Sequence, residues 1–443
     1  MSDSLIKVGM ISLGCPKNQV DAEMMLARLA DAGYEITNSA EGADIVIVNT
    51  CGFIEDAKRE AIDNILDMIS LKQEGRLRAI VITGCLAERY REEVAREFPE
   101  ADAVVGIGCN GDIVEVCNNV LSGEAFCRFS EKRNMPLDGD RLLTTPKHWA
   151  YLKIADGCSN CCSYCAIPKI RGPFRSRSLE SILDEAKALS QSGVKEVVLI
   201  AQDTTRYGED IYGENKLVCL LNELCKLPFR WIRLYYCYPD RLTDELISTI
   251  KNQDKIVNYI DIPLQHASGR VLKAMNRSGD RESLTALLKK IRAEIPDIVF
   301  RTTFITGFPG ETQEDFSQLC EFVYDIGFDK MGCFPYSPEE GTPAAAMDNQ
   351  VEERVKQRRA EVLMNEQYGI ASQKNREYIG KVFNVIVDGF DDESCLYYGR
   401  SYMDAPEIDT GIYFGSLSEH TPGEFVNVII KDVYEYDLIG EEV

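Results

Sequence analysis

Over residues 1–121, short β-branched runs alternate with stretches of helical spacing. Lys7-Val8-Gly9-Met10-Ile11-Ser12-Leu13 reads as a buried strand. Across 19–29, Val20, Met24, Leu26 and Leu29 then recur at the helical period. Residues 44–49 and 79–83 are strand-like again, each followed by a helical stretch. This alternation predicts a doubly wound parallel sheet with right-handed crossovers. Residues 122–147 carry Gly, Pro and charge without a period and read as a linker. From 148 to 375 six strand candidates follow, at 151–155, 196–201, 231–237, 259–264, 299–305 and 330–335. Helical patterns such as 179–190 and 315–324 fill the gaps. Six βα units predict a partial (β/α)6 barrel whose open side could admit a bulky substrate. One long polar helix is expected at 352–378. Alternating runs at 382–387 and 425–430 then predict a small antiparallel β-barrel over 376–443.

Bulk properties narrow the function. The 443 residues suffice for about three domains of roughly 150 residues each. No apolar run approaches the roughly 18 residues of a membrane span, and Met1-Ser2-Asp3-Ser4 opens no signal-peptide pattern. A cytoplasmic protein with no membrane partner is therefore expected. In that compartment the sixteen cysteines should be thiols or metal ligands, not disulfides. A net charge of −23 repels nucleic acid and favours a basic protein partner.

Six of the cysteines form two triplets. Cys158, Cys162 and Cys165 make a C-x₃-C-x₂-C run just beyond the first barrel strand, at the edge where barrel enzymes place their chemistry. Such spacing suits one loop wrapped around an iron–sulfur cluster, with three thiolates on three irons and the fourth iron open. Cys161 creates two abutting C-x₂-C pairs that could in principle grip zinc, but no intervening loop separates them. Cys15, Cys51 and Cys85 lie 36 and 34 residues apart, about one βαβ unit each. Each sits two residues past its strand-like run, so three parallel strands would aim three thiols at one crevice. Cys109, Cys117, Cys127, Cys219, Cys225, Cys237, Cys320, Cys333 and Cys395 read as small buried hydrophobes.

With the cysteine loop, the upstream triplet and the terminal barrel, the chain resembles the radical S-adenosylmethionine (SAM) methylthiotransferases over nearly its whole length. One branch of that family modifies adenosine in tRNA, and the other an aspartate of ribosomal protein S-twelve. Ser12-Leu13-Gly14-Cys15-Pro16-Lys17-Asn18 and Ala201-Gln202-Asp203-Thr204-Thr205-Arg206-Tyr207-Gly208 are similar to the ribosomal-protein branch. The tRNA branch typically shows Gly-Cys-Gln-Met-Asn and Asn-Val-Asn-Ser-Tyr-Gly instead. The resemblance implies a methylthiotransferase domain at 1–121, a radical SAM core at 148–375 and a TRAM domain at 376–443. It implies two 4Fe-4S clusters as cofactors, with SAM at the Cys158/Cys162/Cys165 cluster and sulfur delivery from the Cys15/Cys51/Cys85 cluster. The expected reaction is methylthiolation of the aspartate β-carbon, with SAM as both methyl donor and radical source. A flavodoxin- or ferredoxin-type reductant, a monomer and no direct tRNA substrate complete the expectation. A zinc-binding module or an iron–sulfur electron carrier would instead predict four-cysteine sites closed to reactants.

Charge checks the branch independently. Residues 376–443 hold four basic and fifteen acidic residues, a balance that repels RNA and suits a basic ribosomal protein. Gly307, Gly310 and Glu311, after a barrel strand, are candidates for the SAM pocket or for a plain βα turn. Lys169, Arg171, Arg175 and Arg177 read as a solvated charge run that could also meet carboxylates. His266 reads as a satisfied structural histidine or a supporting group. The literal G-x-G-x-x-G at 106–111 follows the wrong strand for a dinucleotide site and reads as a turn before a helix.

Overall fold

The computed structural model describes residues 5–443. Its first sheet is built from β1 (Lys7–Ser12), β2 (Glu35–Thr37), β3 (Ile45–Thr50), β4 (Ala79–Gly84), β5 (Ala103–Val105) and β6 (Phe126–Arg128). These six strands are parallel in the order 2-1-3-4-5-6. The order reverses between β1 and β3, and the crevice beyond the carboxyl ends of such a pair is where doubly wound sheets bind ligands. β3 and β4 are buried on both faces, which explains their unbroken β-branched runs. β6 lies in the stretch expected to be linker. A three-residue strand is too short to display a period of two, so only its pairing with β5 reveals it.

Next come β7 (Trp149–Lys153), the two-stranded antiparallel pair β8 (Ala155–Asp156) and β9 (Arg175–Ser176), β10 (Glu196–Ile200), β11 (Trp231–Leu234), β12 (Ile256–Asp261), β13 (Val299–Thr306) and β14 (Lys330–Pro335). Six of them form a parallel sheet in the order 14-13-12-11-10-7, with β7 and β14 at open edges. This is the expected partial barrel. Alternation along the strands splits its side chains between two cores. Leu152, Leu199 and Leu234 face the surrounding helices. Tyr151, Val198 and Tyr235 face inward and pack with Val385, Met403 and Phe414 of the terminal domain.

That terminal domain comprises β15 (Val382–Asp391), β16 (Leu396–Arg400), β17 (Ile412–Gly415), β18 (Phe425–Tyr434) and β19 (Asp437–Glu442), closed in the order 15-16-17-19-18. Closure corrects one expectation, because β17 pairs with β19 in parallel while the other pairs are antiparallel. The joining helix runs over Glu353–Arg376. Among the described residues no helix is long and apolar enough to cross a membrane.

Candidate active site between two cysteine triplets

At the β1/β3 switch point the chain turns on glycine. Gly14 has φ +92°, and a Cβ there would stand 2.7 Å from the Cys51 sulfur, so the turns bearing Cys15 and Cys51 are pressed together. Gly84, also at φ +92°, backs onto the Thr50 carbonyl oxygen, 2.4 Å from any added Cβ. Cys15 caps helix Pro16–Asp31, Cys51 directly follows β3, and Cys85 opens helix Cys85–Tyr90 after β4. The uniform two-residue offset is thus not kept, because β3 and β4 extend one residue further than their apolar runs and β1 stops one short. Asn18 locks the edge: its Nδ2 donates to the carbonyl oxygens of Leu13 at 2.8 Å and Asn49 at 3.2 Å, and Asn49 Nδ2 returns a bond to Asn18 O at 2.8 Å.

The second triplet occupies the loop after β8. Cys162 is buried, with Tyr238 Oη at 3.5 Å and Arg277 Nη1 donating to its sulfur at 3.7 Å. Arg277 in turn lies over the Tyr238 ring, 4.1 Å from its centroid. Asn160 N donates to the Cys158 sulfur at 3.5 Å, and Asn160 Nδ2 holds Asp203 at 2.8 Å. Cys161 takes φ +52° and is exposed, which turns its side chain out of the sequence of ligands.

The helix that follows Cys165 reaches the first domain. Cys85, Ala166 and Ile170 form one buried cluster, so the helix after Cys165 packs on the helix that Cys85 begins. Arg171, at the end of that helix, pairs with Asp156 at 2.7 Å and Asp21 at 2.9 Å and reaches Asn18 Oδ1 at 3.2 Å. Lys153 Nζ joins Asp21 and Asp156 to complete a buried four-charge knot between the two domains. Burial pushes the Asp156 carboxyl upward, but Arg171 and Lys153 outweigh it and hold it at about 2. A little further out, Glu339 accepts from Arg89 at 2.7 Å and Lys58 at 3.2 Å, tying the loop after β14 to the first domain.

Burial pushes Cys85 up to about 12 and Cys158 up to about 11, and raises Cys51 and Cys165. Buried thiols of this kind become thiolates when a bound cation repays the desolvation. A four-iron cluster gives each thiolate its own iron, so three separated sulfurs around a shared pocket fit it. Among the described residues no three His, Cys, Asp or Glu side chains converge on a single point.

Several other residues find different places. The charge run is not solvated: Arg171 and Arg177 are buried, Arg177 holding Lys153 O at 2.8 Å and pairing with Glu185. Lys169 remains exposed and donates to Gly341 O, and Arg175 Nη1 donates to Arg133 O at 2.7 Å. Glu311 is buried and engaged: it accepts from the backbone of Gly307 at 2.8 Å and from Arg359 at 2.8 Å. Gly307 packs against Lys356, and Gly310 N donates to Asn349 O at 2.9 Å. These three residues therefore build a βα turn bolted to the long helix. His266 is buried, accepts from Ser268 N at 2.9 Å and lies 3.5 Å from Glu311. Residues 107–112 form a 3₁₀ turn before helix Ile113–Leu121. Cys109, Cys117 and Cys237 are buried as expected, but Cys127, Cys219 and Cys395 are exposed. Sequence reasoning missed Lys17 and Tyr236, whose pairing depends on two segments far apart in the chain.

Residues 7–106 match an uncharacterized protein family designated UPF0004, residues 152–323 the radical SAM superfamily, and residues 379–443 the TRAM domain. Proteins named ribosomal protein uS12 methylthiotransferase RimO match end to end. The one from Thermoanaerobacter sp. (strain X514) is 50% identical over 436 residues, covering 98% of this chain and 99% of its own length. That of Geobacter sulfurreducens is 50% identical over 445 residues, covering 100% and 99%. In fold, the chain is similar to the radical SAM methyltransferase TsrM from Kitasatospora setae, with a TM-score of 0.55 at 14% identity, covering 74% of this chain and 72% of that one.

Proposed function

We propose a site assignment from the premise that this chain belongs to the ribosomal protein uS12 methylthiotransferase (RimO) family. The enzyme methylthiolates the β-carbon of an aspartate of uS12 and uses two 4Fe-4S clusters and SAM. In our assignment Cys158, Cys162 and Cys165 hold the cluster that engages SAM, and Cys15, Cys51 and Cys85 hold the second. When bound, these groups supply the one-electron and sulfur chemistry that an unactivated carbon–hydrogen bond demands. The observation that carries the assignment is the buried contact of Cys85 with Ala166 and Ile170, which supports a common cleft for the two triplets.

The chain's own residues prepare that cleft. Arg277, fixed on the Tyr238 ring and by a bond to Pro263 O at 2.7 Å, donates to the Cys162 sulfur. Asn160 N does the same for Cys158. The Arg171–Asp156–Lys153–Asp21 knot holds the two domains in register and excludes water from the junction. The open edge between β7 and β14 offers a way in for a protein loop. The acidic balance of the chain supports a basic protein substrate over tRNA, and we include a flavodoxin- or ferredoxin-type electron donor and a monomeric enzyme in the reading.

Anaerobic reconstitution tests the assignment. About eight irons per chain are expected, falling to about four when either triplet is replaced by alanine. Retention of the full iron content after replacing Cys15, Cys51 and Cys85 together would refute it. Mass spectrometry of uS12 incubated with the reconstituted enzyme, SAM and a reductant reads the product directly.

A further inference from the structure

Among the described residues two buried cations around the cleft stand without a carboxylate: Arg277, which is engaged by the Cys162 sulfur, Pro263 O and the Tyr238 ring, and Lys17. It is 6% exposed, and its Nζ lies 3.5 Å from the centroid of the Tyr236 ring. The carboxylate one helical turn on, Asp21, is taken by Lys153 and Arg171. Asp261, beside Tyr236, is bound by Arg301 at 2.9 Å and by the Tyr236 backbone N–H at 3.0 Å. Arg171, Lys153 and Arg177 each have their own acids. An ammonium seated on an aromatic ring and paired with no carboxylate can accept a visiting anion.

The surroundings are built to hold Lys17 in place. It follows Cys15 by two residues, behind Pro16 at the first helical position. Tyr236 lies just beyond the carboxyl end of β11 with φ +59°, a conformation rare for an aromatic residue. That strained backbone is pinned by Thr204, whose N–H donates to Tyr236 O at 3.1 Å and whose Oγ1 donates to Tyr235 O at 2.7 Å. Segments 12–18 and 201–208, nearly two hundred residues apart, thus meet at the Lys17–Tyr236 contact, between the Cys15 turn and the carboxyl edge of the barrel.

We propose that Lys17 receives the side-chain carboxylate of the substrate aspartate, with Tyr236 as the residue that positions it. One carboxylate oxygen accepts from the ammonium, leaving the adjacent β-carbon to be directed toward the two triplets. Lys17 is then the residue that reads an acid and rejects its amide. This proposal rests on uS12 as the substrate.

The test uses reconstituted full-length enzyme and purified uS12, either unaltered or with the target aspartate changed to asparagine. Affinities are read by fluorescence anisotropy, and iron content serves as the check on folding. Wild-type enzyme should bind the aspartate form roughly 10- to 100-fold more tightly than the asparagine form. Lys17→Met should lose that preference by weakening the aspartate form alone, and Lys17→Arg should keep part of it. Equal wild-type affinity for the two forms would overturn the proposal whether or not the variants fold. So would a Lys17→Met enzyme that keeps the preference or loses iron with the preference intact. Failure of wild-type enzyme to bind either form would instead overturn the substrate reading on which the proposal stands.

Discussion

Cys51 and Cys158 sit on different domains, and their replacements should separate two halves of one reaction. Cys158→Ala is expected to abolish SAM cleavage to 5′-deoxyadenosine, because it removes a ligand of the SAM-binding site. Cys51→Ala should retain that cleavage and lose the methylthiolated product. Chromatographic assay of 5′-deoxyadenosine beside mass spectrometry of uS12 distinguishes the two. The charge knot makes a second prediction. Asp156 is held at about 2, below its ordinary 3.8, so its stabilisation is present above about pH 4 and disappears as pH falls toward 2. Asp156→Asn should remove this part of the acid sensitivity, worth roughly 2 kcal/mol. Removing one cation costs more: Arg171→Met leaves Asp156 and Asp21 sharing Lys153 alone in the interior and should destabilise the protein by about 3–5 kcal/mol in denaturant titration. Neither Arg171 nor Arg177 looks buried from sequence, because a run of basic residues reveals nothing about acids contributed by other segments of the chain.

At the level of strands and helices, the position of each thiol depends on how its strand ends. Gly84 passes from β4 into helix Cys85–Tyr90 at φ +92° and against Thr50 O. Gly84→Ala adds both a strained backbone and a 2.4 Å clash, so a loss of about 1–3 kcal/mol or more is expected. The displaced Cys85 should also cost the first triplet its iron, leaving about four irons per chain and near-normal SAM cleavage. Strand runs, helix spans and the six-unit repeat were legible because each carries a period of 2 or 3.6 over enough residues. β6 was not, since its three residues show no period. The parallel β17–β19 pair was not either, because local pattern identifies a strand and says nothing about the direction of its partner.

For the molecule as a whole, charge has two destinations. Four of the fifteen acids of the terminal domain bond to the core: Asp388 to His148 at 2.7 Å, Asp404 to Lys330 at 2.8 Å, and Glu407 and Asp409 accept from Tyr151 at 3.0 Å and Tyr259 at 2.7 Å. These dock the small barrel into the inner face of the large one. Other acids remain outside, among them Asp392 and Glu393 at the β15–β16 turn. Reversing both to Lys should slow association with uS12 about 2- to 10-fold at low salt without changing iron content. Stopped-flow rates should converge with the wild type as salt shortens the screening length.

The amino-acid order alone pointed to the thiols proposed for the chemistry and to the elements that present them. Thiols in C-x₃-C-x₂-C spacing and apolar periods are local properties, readable without a fold. Only the tertiary structure decided that Cys85 meets Ala166 and Ile170, that Lys17 rests on Tyr236, and that Glu311 is spent on its own turn. Such pairings join residues tens to hundreds of positions apart. Their partners are chosen by how sheets stack and close, which no local pattern encodes.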